Sequence, residues 1–143
     1  MSTDDNKAAV RQVYEAISGH NLDGYIQGLA ANYVDHSLPP GLPPGIESSR
    51  MLMAGVFAAF PDLVITIEDM IAEGNSVAGR VTLRGTHQGD FQGIPPTGKQ
   101  VAFTSIEVFR VGDGKITERW GEVDTLGMLQ QLGAIPMPGA PAH

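Results

Sequence analysis

Apolar residues near the start of the chain recur with the period of an α-helix. One stripe, spaced i, i+3, i+4 and i+7, consists of Val10, Val13, Tyr14 and Ile17. This spacing predicts a first helix with Tyr14 facing inward, and Asp4 or Asp5 is its candidate N-cap. After a break at residues 18–21, a second short helix is predicted from one apolar face, made of Leu22, Tyr25, Ile26 and Leu29.

A proline-rich segment separates the second predicted helix from the third. Residues 37–45 read SLPPGLPPG, which fits neither a helix interior nor a central strand, so a rigid loop is predicted there. A third helix near residues 47–60 is supported by the apolar positions Leu52 and Val56, and Pro61 ends it.

From Leu63 onward the pattern changes to the period of β-strands. Two hairpins are predicted, residues 63–74 and 76–89 around Gly74-Asn75, and residues 100–111 and 115–123 around Asp113-Gly114. A Gly/Pro loop joins them, and a short helix capped by Asp124 or Thr125 and ending at Leu132 precedes an irregular tail from about residue 133. Helices followed by an antiparallel sheet predict an α+β fold in which a curved sheet wraps the helices around a cavity.

Length and composition narrow the classes of protein. With 143 residues, 42% of them hydrophobic and 17% charged, residues 1–143 are expected to form one globular domain. No apolar run approaches the ~20 residues of a membrane span. A net charge of -7 with only 9 Lys and Arg argues against a nucleic-acid partner. The start of the chain lacks the features of a secretory signal and cysteine is absent, so a cytoplasmic location is expected.

Glu107 is the residue that most needs an explanation, because it lies between Ile106 and Val108 in an apolar strand. A carboxylate there must be exposed, paired or held with a shifted pKa, since burying an unpaired charge is costly. Arg119 shares a strand face with Gly121 and is a candidate partner across the second hairpin. A paired Glu107 would stay ionised and act as a base or a structural ion pair, whereas an unpaired one could donate a hydrogen bond.

Several motifs together resemble a known family: VYEAISGHNLDGY, NYVDH, GTHQGDFQGIPPTGKQV and FRVGDGKITERW. They are similar to SnoaL-like polyketide cyclases, within the nuclear transport factor 2-like superfamily related to steroid isomerases. The resemblance covers nearly the whole chain, and its most specific part is G-x-H-x-G-x-F-x-G-x-P-P-T-G. It implies a cone-shaped barrel, a highly curved antiparallel sheet packed on N-terminal helices around a mostly apolar pocket.

The resemblance also implies candidate catalytic residues. The catalytic Asp of the best-known cyclases and its His partner fall on Gly121 and Glu107, so the acid/base Asp of the family is missing here. Alignment to the steroid isomerases places the oxyanion-hole Tyr on Tyr14, the oxyanion-hole acid on Glu107 and the base on His36. We therefore expect Tyr14, His36 and Glu107 to be catalytic, through hydrogen-bond donation and proton transfer.

A second group of residues is expected to bind substrate: Arg119, His87, Phe109, Phe103, Gly121 and Trp120. Some of these side chains, and the candidate catalytic Tyr14, have simpler interpretations as well. His87 would brace a turn, Trp120 would pack in the core or at a subunit interface, and Tyr14 would be a core aromatic. The acids Asp35 and Asp90 are predicted to be solvated loop residues or turn formers, and His20 and His143 are expected to be uninvolved.

With these residues, the resemblance implies a cofactor-independent enzyme that acts on an apolar carbonyl compound by aldol cyclisation or isomerisation through an enolate. No metal-site spacing or nucleotide motif is present. One alternative is a non-catalytic small-molecule binding or accessory protein. Another is an epoxide hydrolase or hydroxylase, which requires an Asp-Arg-Asp pocket or a partner reductase; Asp124 and Arg119 match such a pocket only in part. A homodimer is expected, because a strongly curved sheet leaves an apolar convex face.

Overall fold

The computed structural model describes residues 2–136 of the chain. It contains four helices, α1 (Thr3–Ser18), α2 (Leu22–Gln27), α3 (Ile46–Ala59) and α4 (Thr125–Leu132), and five strands, β1 (Leu29–Asp35), β2 (Val64–Glu73), β3 (Ser76–Thr86), β4 (Gln100–Gly112) and β5 (Lys115–Val123). Most of the predicted tail, including His143, lies outside the described residues. None of the described helices is long and apolar enough to cross a membrane.

The helix ends show which caps the sequence uses. Ser2, rather than Asp4 or Asp5, caps α1, because its hydroxyl accepts from the Asp5 N–H at 3.0 Å while the Asp5 carboxylate accepts from the Ser2 N–H. The predicted cap of α4 is confirmed at Asp124, whose carboxylate accepts from the Gly127 N–H at 2.9 Å. The apolar stripe of α1 is buried as predicted, at Val10, Val13, Tyr14 and Ile17.

The five strands form one open sheet in the order β1-β5-β4-β3-β2. Both predicted hairpins are confirmed, β2 with β3 and β4 with β5. Strand β1 was not predicted: Leu29 begins it instead of ending the second helix, and it pairs parallel to β5. The α+β fold predicted from the sequence is confirmed, with one parallel edge strand added to the antiparallel sheet.

Strand β4 carries the alternation that places Glu107. Its odd-numbered residues are buried and face the helices, namely Val101, Phe103, Ser105, Glu107, Phe109 and Val111, while the residues between them are exposed. Because neighbouring side chains on a strand point to opposite faces, this parity turns the Glu107 carboxylate toward the interior. Strand β4 therefore presents one charged residue, Glu107, on an inward face that is otherwise largely apolar.

Candidate active site

A cavity of about 800 Å³ lies between the inner face of the sheet and helices α1 and α3. Much of its wall is apolar, including Phe60, Leu63, Phe103, Phe109, Ile116 and Met128. Asp35, Glu107 and Arg119 bring charge into this wall. Such a cavity fits a largely apolar small molecule that a few polar groups hold in one orientation.

Arg119 links the two acids of the cavity. Its Nε donates to Oε2 of Glu107 at 2.6 Å, and its Nη1 lies 3.2 and 3.0 Å from Oδ1 and Oδ2 of Asp35. All three side chains are largely buried. Burial opposes the charged guanidinium, but the carboxylates of Glu107 and Asp35 outweigh it and raise the pKa of Arg119. The guanidinium is therefore a permanent cation between two acids.

Tyr14 completes the surroundings of Glu107. Its hydroxyl donates to Oε1 of Glu107 at 2.9 Å. Burial, followed by the charge and hydrogen bond of Glu107, raises the pKa of Tyr14 above its ordinary value. Both oxygens of Glu107 thus accept hydrogen bonds, as an ionised carboxylate does. Of the alternatives that the sequence left open for Glu107, the structure shows pairing with Arg119.

Asp35 is buried, so the prediction of a solvated loop acid was wrong for this residue. It ends β1 in register with Arg119 on β5. Besides Arg119, its carboxylate accepts from the Tyr33 hydroxyl at 3.3 Å and the Ser37 N–H at 2.9 Å. The signal that finds Asp35 is strand parity: an inward Tyr33 on a strand requires an inward residue two positions later. Asp90, the other acid interpreted this way, accepts from the Gly93 N–H in its loop and also lies in the cavity wall.

Two glycines flank Glu107 on the neighbouring strands, Gly79 on β3 and Gly121 on β5. A Cβ at Gly79 would lie 2.8 Å from the hydroxyl oxygen of Tyr14. A Cβ at Gly121 would overlap Nη2 of Arg119 and lie 2.8 Å from its Cζ. Both partners of Glu107 therefore occupy space that a side chain would otherwise fill.

His36 and Trp120 lie outside the cavity wall, whereas His36 was expected to be catalytic and Trp120 either to bind substrate or to pack. His36 follows the inward Asp35 and points to the outer side of the sheet, where its Nε2 lies 2.9 Å from Oε2 of Glu118. Its ring stacks on Trp120 with centroids 4.6 Å apart. Among the described residues, neither His36 nor Trp120 belongs to the cavity wall. The expectation that His36 meets Glu107 and Tyr14 is corrected. The His36 N–H donates to the Arg119 carbonyl and continues the pairing of β1 with β5, and adjacent residues of an extended segment face opposite sides.

His87 is fully buried but also lies outside the cavity wall. Its Nδ1 lies 3.0 Å from the Thr97 hydroxyl and accepts from the Thr97 N–H at 3.2 Å. Its backbone carbonyl accepts from the Gly98 N–H at 2.8 Å. These contacts close the loop between β3 and β4, so the alternative of a turn-bracing imidazole is confirmed in place of direct contact with the cavity.

The other sequence-predicted substrate residues do lie in the cavity wall, namely Phe103, Phe109, Gly121 and Arg119. Their contact with a substrate stays a prediction. Asp124 caps α4 and does not pair with Arg119. Within residues 2–136, no group of three or more His, Cys, Asp or Glu side chains is arranged to hold a metal ion.

Residues 7–132 match the family described as SnoaL-like polyketide cyclase. The chain belongs to this family. It is 32% identical over 98 residues to nogalonic acid methyl ester cyclase of Streptomyces nogalater, covering 68% of this chain and 73% of the relative. A second relative, aklanonic acid methyl ester cyclase of Streptomyces peucetius, is 35% identical over 69 residues, covering 47% of this chain and 48% of the relative.

Solved structures share the fold of this chain. AclR of Streptomyces galilaeus, a proposed hydroxylase, superposes with a TM-score of 0.88 at 32% identity, covering 98% of this chain and 87% of AclR. IdmH of Streptomyces antibioticus, a proposed polyketide cyclase, gives a TM-score of 0.77 at 33% identity, covering 90% and 98%. The family and fold predicted from the sequence motifs are confirmed, and the chain is a polyketide-cyclase-type enzyme.

Proposed function

We propose that the chain catalyses a cofactor-independent aldol cyclisation of a polyketide in the cavity, with Glu107 as the base. The observation that carries this proposal is a carboxylate in a largely apolar wall, which accepts hydrogen bonds from Tyr14 and Arg119 and lines the cavity. Because the two cyclase relatives are named for nogalonic and aklanonic acid methyl esters, we propose a methyl ester of a polyketide acid as the substrate.

Glu107 suits proton transfer better than Asp35 does. The described residues give the Glu107 oxygens one hydrogen bond each, from Tyr14 and Arg119, so each oxygen keeps a free lone pair. The carboxylate of Asp35 accepts four hydrogen-bond contacts, two of them from Arg119. Glu107 therefore has the capacity to accept a proton from a substrate.

A carboxylate is a weak base, and this favours an unusually acidic C–H bond in the substrate. A carbon between two carbonyl groups, as polyketides contain, meets this requirement. Glu107 would take that proton and leave an enolate. The enolate carbon would then attack a second carbonyl group, and Glu107 would return its proton to the new alkoxide. No atoms are gained or lost.

Arg119 is the group that would stabilise the enolate oxygen. Among the described residues its Nη2 donates to no protein acceptor, while Nε and Nη1 hold the two acids. A fixed cation beside developing negative charge lowers the barrier most when it is already oriented. Tyr14 would act through Glu107, because its hydroxyl is committed to that carboxylate.

The experiment supplies the purified protein with each methyl ester and follows the product by chromatography and mass spectrometry. An aldol cyclisation gives a product of unchanged mass. Glu107→Gln should lower turnover by about 10²-fold or more, as expected for loss of a general base. The matched control is Glu118→Gln, which removes a carboxylate on the outer side of the sheet, beside His36. Equal turnover in the wild type and Glu107→Gln would reject the proposal.

Hydroxylation or epoxide hydrolysis is a second candidate, favoured by one observation. Asp35, Arg119 and Glu107 form a carboxylate–arginine–carboxylate arrangement, with Asp35 in the place that the sequence offered to Asp124. The likeness to AclR points the same way. A product heavier by one water molecule would select epoxide hydrolysis. In an assay supplied with O2 and a reductant, a product heavier by one oxygen atom would select hydroxylation. Release of an unaltered ligand, with no turnover, would select a binding protein.

We further propose that residues 1–143 act as one domain and assemble as a homodimer through the outer face of the sheet. An apolar row crosses that face in register, from Ile71 through Ala78 and Val108 to Trp120. The cytoplasmic location stays a prediction. Sedimentation at micromolar concentration should give a dimer, and Val108→Lys should give a monomer. Thr104→Lys, on the same exposed side of β4, is the control; a monomeric wild type would reject the dimer.

A further inference from the structure

Inward-facing residues of β3, β4 and β5 that stand opposite one another form rows across the sheet. The row that contains Glu107 differs from the rows on either side. Glu107 pairs with Gly79 on β3 and with Gly121 on β5. The inward row before it is Val81, Ser105 and Val123, and the inward row after it is Val77, Phe109 and Arg119. The two glycines therefore leave the only gaps in these three rows, one on each side of the carboxylate.

The gap at Gly121 opens a diagonal path across the hairpin. In the register of β4 and β5, Arg119 stands opposite Phe109, and Gly121 stands opposite Glu107. The Arg119–Glu107 ion pair is thus a diagonal contact, of the kind that only long side chains reach. Its guanidinium lies over Gly121, where a Cβ would be 2.8 Å from Cζ. A side chain at position 121 would block this path.

The gap at Gly79 does the same for the other donor. Tyr14 comes from α1 and reaches the sheet above Gly79, where a Cβ would lie 2.8 Å from its hydroxyl oxygen and 3.2 Å from Cε2. Backbone freedom does not explain either glycine, because neither has a positive φ. Both are accounted for by the close approach of a partner of Glu107.

We infer that Gly79 and Gly121 are positioning residues for the reaction. Because they have no side chain, Tyr14 and Arg119 can both hydrogen-bond to the Glu107 carboxylate, and these two hydrogen bonds orient it for proton transfer. This inference rests on the proposed role of Glu107 in catalysis. It assigns Gly121 a function of its own, because a side chain at that position would push the guanidinium away from Glu107 and Asp35 together.

The test is a double-mutant cycle of Gly121→Ala with Arg119→Lys. Gly121→Ala should lower kcat about tenfold while KM changes little. The alanine would displace the Arg119 guanidinium, whose hydrogen bonds would act on the transition state. In the Arg119→Lys background, Gly121→Ala should lower kcat by less than about twofold, because lysine lacks the planar group that the added methyl displaces. Gly112→Ala is the control, a glycine of β4 whose added Cβ would only approach Thr117, at 3.3 Å.

A structural readout separates this inference from the proposed function. The Arg119 Nε–H resonance, identified by its loss in Arg119→Lys, should shift in Gly121→Ala and remain unchanged in Gly112→Ala. Equal losses of kcat from Gly121→Ala in both backgrounds, or an unchanged resonance, would overturn the inference. If Glu107→Gln keeps full turnover while the resonance still shifts, the proposed function fails and the positioning by Gly121 stands.

The Gly79 side of the row is tested in the same way with Tyr14→Phe. Gly79→Ala should lower kcat by about tenfold in the wild type. In Tyr14→Phe the loss should be smaller, because the closest contact of the added methyl, the hydroxyl oxygen, is gone. Equal losses in both backgrounds would remove Gly79 from the proposal, and thermal melting confirms that each variant is folded.

Discussion

Asp35 and Arg119 stand in register on the parallel strands β1 and β5, and Nη1 of Arg119 lies 3.0 Å from Oδ2 of Asp35. This pair fixes one end of the guanidinium and leaves its Nε for Glu107. The edge strand thus contributes an acid that orients the central cation of the cavity. Two carboxylates share one positive charge, so removing that charge leaves both acids uncompensated in an apolar wall.

Arg119→Met should therefore destabilise the fold strongly. Removing one partner of a buried ion pair typically costs about 3–5 kcal/mol, because the remaining charge has no compensation. Urea denaturation at neutral pH measures the change. Arg110→Met is the matched control, since Arg110 is largely exposed and its 3.6 Å contact with Glu118 lies at the surface. A loss below about 1 kcal/mol for Arg119→Met would contradict a structural role for the ion pairs.

The sequence predicted the parts of this site that depend on local patterns. The stripe of α1 placed Tyr14 inward, and the alternation of β4 made Glu107 the residue to explain. The pairing of Arg119 stayed open, because it depends on the register of β4 against β5, which a hairpin pattern suggests without fixing the diagonal contact. The two hairpins were predictable because each strand pairs with its neighbour in sequence.

Strand β1 was missed because it forms through pairing with a distant segment. Asp35 pairs with Arg119 in a parallel register. Parallel strands are not joined by a short turn, so the sequence carries no turn signal for this contact. Without a strand assignment, the sequence did not show whether Asp35 or His36 faces the interior. The superfamily alignment then favoured His36, whereas strand parity turns Asp35 to the cavity and His36 to the outer face.

Turnover should be insensitive to His36. Its Nε2 is paired with Glu118 and its ring stacks on Trp120, both on the outer side of the sheet. His36→Gln keeps a polar side chain there, so we expect kcat and KM to stay within about twofold of the wild type, far from the ~10²-fold loss of a general base. Steady-state kinetics on the cyclisation substrate measures both constants. A 10²-fold fall in kcat would return the role of base to His36.

Tyr14 and Glu107 should be energetically coupled through their 2.9 Å hydrogen bond. Tyr14→Phe removes the donor and Glu107→Gln removes the charge. The double variant should therefore lose less free energy of unfolding than the sum of the losses in the two single variants. A hydrogen bond to a charged group contributes about 1.5–3 kcal/mol, and the coupling free energy of unfolding should approach this range. Tyr33→Phe with Glu107→Gln is the control cycle, because Tyr33 donates to Asp35 instead. A coupling near zero would show that the Tyr14 hydroxyl contributes packing alone.

The three tyrosines of the chain should resist ionisation in the folded protein. Burial is the main cause that raises the pKa of Tyr25 to about 12, and it also raises the pKa of Tyr14 and Tyr33. The unfolded chain would ionise them near pH 10, so the folded state binds more protons above that pH and stability should fall as pH rises from about 10 to 12. Tyrosinate absorbance should remain low at pH 11 in the native protein and appear in full in the urea-unfolded protein, and Tyr25→Phe should remove the earliest native transition. A native titration centred at pH 10 would mean that the hydroxyl groups are solvated and are not buried in the cavity wall.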